Sequence, residues 1–173
     1  MRALVVGGDS RLGQALAVRL HRGLHDVVCT TRRPCAGRAG WVYLDLLEPS
    51  IPVEIDSDGS VWIVYIMAAI TGVVPAEEHP HAWRVNAEAP ALITLAARDR
   101  GWRVVFMSSG TVERAQHTAS ARQKSYAEAV VHVCGGCVVR PLPVVPPERY
   151  AELAALLVDV GEQGRSGVVR WEG

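Results

Sequence analysis

The chain has 173 residues, of which 49% are hydrophobic, and its 18 basic and 18 acidic side chains give a formal net charge of zero. This length supports one sizeable core and is short for two, so we expect a single domain over residues 1–173. The neutral charge argues against a nucleic-acid partner, and no segment has the pattern of a membrane span or a signal peptide. We therefore expect a cytoplasmic protein that binds a small molecule.

Strands and helices are predicted to alternate along the whole chain. Each predicted strand is a short apolar run, and each predicted helix carries apolar residues at helical spacing. The alternation predicts an α/β fold, a doubly wound parallel sheet in a three-layer α/β/α arrangement. The predicted strands are Ala3 to Val6, Asp26 to Thr30, Trp41 to Leu44, Val61 to Met67, Val104 to Met107, Cys137 to Arg140 and Gly167 to Trp171. The predicted helices carry Leu12 to Leu20 and cover Pro80 to Arg98, Ser120 to Val133 and Glu148 to Glu162, with loops at 56–60 and 141–147.

A glycine-rich turn follows the first strand. Gly7 and Gly13 occupy the outer positions of a G-x-x-G-x-x-G pattern, and Ser10 occupies the middle one, where it stays small and adds a hydroxyl. Glycine lets the backbone approach a phosphate closely while the next helix presents its free N–H groups to the anion. The context of strand, turn and helix favours a Rossmann-type dinucleotide site over an ordinary strand-to-helix turn. Its candidate residues are Gly7, Gly8, Ser10, Arg11, Leu12 and Gly13.

The end of the second predicted strand indicates which nicotinamide cofactor is bound. An acidic side chain there is typical of NAD sites, because it accepts hydrogen bonds from the ribose hydroxyls. This chain has Thr31, Arg32 and Arg33 instead, and Arg11 could reach the same region. Arginine pairs well with the 2′-phosphate of NADP, so we expect NADP in preference to NAD. The alternative is that these arginines are solvated loop charges.

The four cysteines include a C-x-x-C spacing at Cys134 and Cys137. Metal or redox chemistry is one interpretation of that spacing. No second pair with ligand spacing accompanies it, which favours core packing, and no metal site is predicted.

Several stretches together resemble the extended short-chain dehydrogenase/reductase superfamily, and in particular its dTDP-4-dehydrorhamnose reductase branch of epimerase/dehydratase-like proteins. Residues 68–90, AAITGVVPAEEHPHAWRVNAEAP, are similar to that branch in an alanine pair, an acidic and proline-containing stretch and a Val-Asn-Ala segment. Residues 104–109, VVFMSS, resemble its strand that ends in serine or threonine, and Arg140-Pro141 resembles the end of a later strand. The resemblance covers most of the chain.

The resemblance implies roles for individual residues. Asp45 would lie near the adenine, and Ala68 and Ala69 would line the path of the nicotinamide. Asn86 and either Ser108 or Ser109 would organise the reacting end. Each of these three polar residues has a structural alternative, in which it satisfies backbone groups or caps a turn.

The family's Tyr-x-x-x-Lys pair is only half present. Lys124 matches the lysine that binds the nicotinamide ribose, but Ser120 stands where the tyrosine belongs. Serine is too short and too weak an acid to replace a phenol. Tyr126 is expected on another helix face, and His117 is either a proton donor or an exposed loop histidine, of which we favour the second.

The chain also passes quickly from Arg140-Pro141 to its last helix, which implies a much reduced substrate region. A homodimer is implied through the helices that carry Asn86 and Lys124. Two functions are left open. One is an NADP-dependent reductase acting on a carbonyl or nucleotide-sugar substrate, and the other is a non-catalytic dinucleotide-binding sensor or scaffold.

Overall fold

Seven strands and six helices follow one another along the described residues, which are 1–35, 37–55, 60–71, 73–142 and 145–172 of a computed structural model. The strands are β1 (Arg2–Val6), β2 (Asp26–Thr31), β3 (Trp41–Tyr43), β4 (Trp62–Ile66), β5 (Arg103–Met107), β6 (Cys137–Pro141) and β7 (Gly167–Trp171). The helices are α1 (Arg11–Arg22), α2 (Val73–Glu78), α3 (Ala89–Asp99), α4 (Thr111–Arg114), α5 (Ala119–Val133) and α6 (Tyr150–Glu162).

The strands form one parallel sheet in the order β3-β2-β1-β4-β5-β6-β7. The chain winds outward from β1 to β3, returns to β4 beside β1, and winds outward again to β7. The strand order therefore reverses between β1 and β4, where an open α/β sheet leaves a crevice for ligands at the carboxyl ends of its strands. This arrangement confirms the predicted doubly wound α/β fold.

Helices cover both faces of the sheet. Leu16 and Leu20 of α1 and Leu157 of α6 are fully buried on one face, where they pack against alternate residues of the central strands. Ile93 of α3 and Val131 of α5 are buried on the opposite face. All five residues of β4 are buried, which explains the continuous apolar run that the sequence shows there.

The structure differs from the predicted elements in three places. The predicted helix from Pro80 to Arg98 contains a π-helical segment, Arg84–Glu88, which runs directly into α3. The short helices α2 and α4 were not predicted, because six and four residues are too few to show a helical period. Of the predicted loops, residues 56–59 and 143–144 lie outside the described residues. Within the described part, no helix is long and apolar enough to cross a membrane.

Candidate functional site

The turn between β1 and α1 is closely packed on three sides. Gly7 has a φ of +87°, which strains any other L residue, and a Cβ there would lie 2.7 Å from the Cβ of Ala68. A Cβ on Gly8 would lie 2.6 Å from the Cβ of Cys29, and one on Gly13 would lie 2.3 Å from the carbonyl oxygen of Gly7. Packing therefore requires all three glycines, and it brings the turn against the residues at the ends of β2 and β4.

Ser10 is the N-cap of α1. Its hydroxyl accepts a hydrogen bond from the N–H of Gly13 at 3.0 Å and donates one to the carbonyl of Gly7 at 2.9 Å. The cap thus uses the hydroxyl that the sequence offered as a ligand contact. The N–H groups of Arg11 and Leu12 lie in the first turn of α1, so they have no hydrogen-bond acceptor within the helix. Together with the positive end of the helix dipole, these two groups form an anion-binding position.

A cleft of about 490 Å³ opens beside this turn. Its walls come from the turn, from the ends of β2, β3 and β4, and from the segment that leads into the π-helix. The predicted cofactor residues that line it are Gly7, Ser10, Thr31, Arg32, Asp45, Ala68 and Ala69. The predicted residues that do not line it are Gly8, Arg11, Leu12, Gly13, Arg33 and Lys124. Gly8 and Leu12 instead face the core beneath α1, while Arg11 and Arg33 are exposed.

The cleft has further lining residues that the sequence interpretation missed. They are Val6, Asp9, Thr30, Leu44, Leu46, Leu47, Met67, Ile70, Thr71, His79, His81 and Val85. Most of them end a predicted strand or follow one closely, so the rule that parallel strands end at one edge of the sheet was a usable signal for them. His79 and His81 gave no such signal, because they follow the unpredicted helix α2.

Polar contacts fix the end of β2 against the turn. The hydroxyl of Thr30 accepts the N–H of Gly7 at 3.1 Å. The hydroxyl of Thr31 donates to Oδ2 of Asp9 at 3.0 Å and accepts the N–H of Arg33 at 3.1 Å. This end of the cleft therefore presents a carboxylate as well as the guanidinium of Arg32.

Asn86 holds the chain that leaves β4. Its Oδ1 accepts the N–H of Ile70 at 2.8 Å, and its Nδ2 donates to the carbonyl of Ile70 at 2.9 Å and to Oε1 of Gln123 at 2.8 Å. The side chain of Gln123 in turn donates to the carbonyl of Ala76 at 3.0 Å. These bonds use both ends of the buried Asn86 amide, and the geometry thus favours a positioning role over contact with a substrate.

Ser108 belongs to an ion network at the ends of β5 and β6. Its hydroxyl donates to the carboxylate of Glu128, which also accepts two hydrogen bonds from Arg140, including one from Nε at 2.9 Å. Arg140 in turn donates to Glu113 at 2.5 Å. Both Ser108 and Glu128 are buried. The hydroxyl proton of Ser108 is therefore committed to a carboxylate.

Ser109 has a different environment. It is half-buried, and its Oγ accepts hydrogen bonds from the N–H of Thr111 at 3.2 Å and from the hydroxyl of Thr111 at 3.0 Å. An oxygen that accepts both bonds keeps its own proton for donation. Of the two serines, Ser109 is the one whose contacts suit a donor to a substrate oxygen.

Lys124 lies on the buried face of α5 and is only 7% exposed. Its Nζ is 3.5 Å from the carbonyl oxygen of Met107 and 5.6 Å from the ring centroid of Phe106. Burial lowers the pKa of this amine to about 8, and the nearby carboxylate of Glu128 opposes that shift. Ser120 lies one helical turn earlier and is also buried, so the two share a face of α5.

Neither alternative proton donor faces this buried region. Tyr126 is 46% exposed and packs on Trp83, with the ring centroids 5.5 Å apart. His117 is exposed in the loop before α5, and its carbonyl accepts a hydrogen bond from Arg122.

The two groups of predicted residues occupy neighbouring regions of one sheet edge. The cleft lies over the ends of β1 to β4, whereas Ser108, Ser109 and Lys124 lie at β5 and α5 and do not line it. Asn86 connects them, because it binds Ile70 on the cleft wall and Gln123 on α5. A ligand longer than the cleft would extend towards this second region.

The cysteines have ordinary environments. Cys29 and Cys137 are buried free thiols of the core, and burial raises the pKa of Cys29 to about 11 and also raises that of Cys137. Cys134 is a half-buried free thiol that follows α5. Among the described residues, no group of three or more His, Cys, Asp or Glu side chains could hold a metal ion.

Comparison with known proteins gives the family. The model of the NAD dependent epimerase/dehydratase family matches residues 3–133. No curated protein matches the sequence.

Solved structures show the same fold at low sequence identity. A hypothetical dTDP-4-dehydrorhamnose reductase from Sulfolobus tokodaii has a TM-score of 0.77 and 19% identity, over 98% of this chain and 76% of that one. A dTDP-4-dehydrorhamnose reductase from Bacillus anthracis in complex with NADP gives 0.79 and 16%, over 99% and 74%. An oxidoreductase of the short-chain dehydrogenase/reductase family from Brucella ovis, in complex with a partially ordered NAD, gives 0.80 and 15%, over 99% of both chains. Since the family model matches the chain from β1 to the end of α5, this protein belongs to the NAD dependent epimerase/dehydratase family.

Proposed function

We propose that this protein binds NADP(H) in the cleft and acts as a reductase of a carbonyl or nucleotide-sugar substrate. The observation that carries the proposal is the position of the cleft. It opens at the reversal of the strand order, next to the capped amino end of α1 and the tight turn at Gly7 and Gly13. Related structures in complex with NADP and with NAD support a nicotinamide dinucleotide as the ligand.

The residues of the cleft fit such a cofactor. A pyrophosphate would take the N–H groups at the start of α1, beside the tight turn at Gly7 and Gly13. Arg32 would pair with a 2′-phosphate, which is the basis of the preference for NADP, and Asp45 would lie near the adenine. Ala68 and Ala69 would line the path towards β5. When bound, the reduced nicotinamide supplies a hydride to a carbonyl carbon.

The second region offers part of the catalytic machinery. Ser109 would donate a hydrogen bond to the substrate oxygen, and the buried ammonium of Lys124 would hold the nicotinamide ribose. The position of Ser120 supplies no phenol, so the proton source for the reduced oxygen has no assigned residue.

A second candidate function follows from the same gap. The protein would then be a sensor or scaffold that binds the dinucleotide without turnover. Ser120 and the commitment of Ser108 to Glu128 both favour this candidate. The chain length is compatible with either function, since the chain matches the Brucella ovis oxidoreductase over 99% of both chains but spans about three quarters of the two reductases.

Turnover distinguishes the two candidates. We would follow NADPH oxidation with a broad carbonyl panel for the wild type, Lys124→Ala and Ser120→Tyr, and measure NADPH binding by each. A reductase predicts wild-type oxidation that Lys124→Ala reduces and Ser120→Tyr increases. Binding by all three without oxidation above the Lys124→Ala rate would replace the reductase with the sensor or scaffold.

We also propose a homodimer through the helices that carry Asn86 and Lys124. Trp83, Leu92 and Tyr126 are large apolar side chains exposed on this part of the surface. Trp83→Glu should convert a dimer to a monomer in sedimentation velocity, whereas Val18→Glu, which changes an exposed residue of α1, should not. A monomeric wild type would refute this interface.

The cytoplasm, where thiols stay reduced, is the compartment that suits the four free cysteines.

A further inference from the structure

Two opposite charges line the adenosine end of the cleft. The guanidinium of Arg32 follows β2, and the carboxylate of Asp9 lies within the glycine turn. Among the residues described as lining the cleft, Arg32 is the one arginine, and Asp9 and Asp45 are the carboxylates. The sequence singled out Arg32 and Asp45 at this end but gave no role to Asp9.

Contacts to neighbouring groups orient the Asp9 carboxylate. The hydroxyl of Thr31 accepts the N–H of Arg33, which leaves its single proton to be donated to Oδ2 of Asp9 at 3.0 Å. The carbonyl of Asp9 also accepts a hydrogen bond from the side chain of Gln14 at 3.3 Å. These bonds hold Asp9 beside the end of β2, where a dinucleotide's adenosine ribose lies in this type of site. The remaining carboxylate oxygen is an acceptor for a ligand.

A carboxylate beside the adenosine ribose interacts differently with NAD(H) and with NADP(H). It accepts hydrogen bonds from the 2′- and 3′-hydroxyls of NAD(H), but it repels the 2′-phosphate of NADP(H), which carries close to two negative charges at neutral pH. Arg32 has the opposite preference. Asp45 is held in a turn after β3, where its Oδ1 accepts the N–H of Leu47 at 3.0 Å.

We infer that Asp9 is a specificity-determining residue, which binds the adenosine ribose hydroxyls through its carboxylate and opposes a 2′-phosphate. The choice between NADPH and NADH is then set by Asp9 against Arg32. This inference rests on the proposed dinucleotide binding. It adds a residue that reduces the preference for NADP that the arginines alone would give.

The test is a set of titrations with NADPH and NADH on the wild type, Asp9→Asn, Arg32→Ala and Asp99→Asn. Asp9→Asn keeps the shape of the side chain and an acceptor for Thr31, so the turn is expected to fold. We expect Asp9→Asn to shift the ratio of the two affinities towards NADPH by about tenfold, and Arg32→Ala to shift it towards NADH. Asp99→Asn is the matched control, since it removes an exposed carboxylate at the end of α3 that does not line the cleft, and it should leave the ratio within about twofold of the wild type.

Adenosine 2′,5′-bisphosphate and AMP, titrated in the same way, show whether the discrimination resides at the adenosine end. The same shift with these fragments supports the inference. An unchanged ratio in Asp9→Asn, or a shift as large in Asp99→Asn, overturns it, while dinucleotide binding by the wild type leaves the proposed function in place. A wild type that binds neither cofactor refutes the proposed function itself.

Discussion

Replacing Lys124 should make the protein more stable and less active. The amine is 7% exposed, and burial lowers its pKa from 10.5 to about 8. Each pKa unit corresponds to about 1.4 kcal/mol, so keeping this amine protonated in the folded state costs about 3 kcal/mol at pH 7. Lys124→Met keeps the apolar stem and removes the charge. We expect the variant to be more stable than the wild type by about 3 kcal/mol at pH 7.

The pH dependence identifies the cause of this difference. Between pH 8 and about 10.5 the unfolded chain binds more protons at Lys124 than the folded chain, so wild-type stability gains a contribution as the pH rises. Lys124→Met lacks that contribution, and its advantage should fall below about 1 kcal/mol at pH 10. Titrations elsewhere in the chain affect both proteins equally and cancel in the comparison.

Urea unfolding followed by tryptophan fluorescence at pH 7 and pH 10 measures both quantities. Arg19→Met, which removes an exposed charge on α1, is the control and should show no such pH-dependent difference. An equal difference at the two pH values, or a less stable Lys124→Met at pH 7, would contradict the assigned burial. If the stabler variant also loses NADPH oxidation, the cost of burying the ammonium is explained by its role at the cofactor.

Three further predictions concern packing and buried polar groups. Gly13→Ala places a Cβ 2.3 Å from the carbonyl oxygen of Gly7 and should weaken NADPH binding more than about tenfold. Val133→Ala, which changes an exposed residue at the end of α5, should leave binding unchanged, and equal affinities of the two variants would refute the tight turn. Asn86→Ala leaves the N–H and carbonyl of Ile70 without their partner and should lower the free energy of unfolding by about 2 to 4 kcal/mol. A loss below about 1 kcal/mol, measured by urea unfolding, would contradict this prediction. Gly161→Ala brings a Cβ to 2.4 Å from the hydroxyl of Tyr65, and that hydroxyl has no hydrogen-bond partner among the described residues. Tyr65→Phe should therefore be tolerated, and it should recover most of the stability that Gly161→Ala loses. A double variant no more stable than Gly161→Ala would rule out this contact.

Local patterns were sufficient to predict the sheet. The five residues of β4 are all buried between two helical layers, which gives a continuous apolar run in the sequence. Leu16 and Leu20 of α1 are buried on one face of their helix, which gives apolar residues at helical spacing. The turn from Gly7 to Gly13 could also be predicted from the sequence, because the close packing of its backbone leaves no room for a side chain on its glycines. These features depend on residues close together in the chain.

Side-chain partners from different elements could not be predicted. Ser108, Glu128 and Arg140 meet only because α5 packs across the ends of β5 and β6, and no spacing in the sequence marks that contact. The bond between Asp9 and Thr31 also joins two loops that the sheet brings together. The π-helical segment at Asn86 has no propensity signal of its own, since Asn86 fixes it through bonds to Ile70.

The most direct test of dinucleotide binding is an equilibrium titration of the purified protein with NADPH and NADH, following energy transfer from its five tryptophans to the reduced nicotinamide. The structure predicts saturable binding of NADPH, with the stronger affinity for NADPH than for NADH. It also predicts that Gly13→Ala abolishes the signal for both. Absence of saturable binding by either cofactor would contradict the assignment of the cleft as a dinucleotide site.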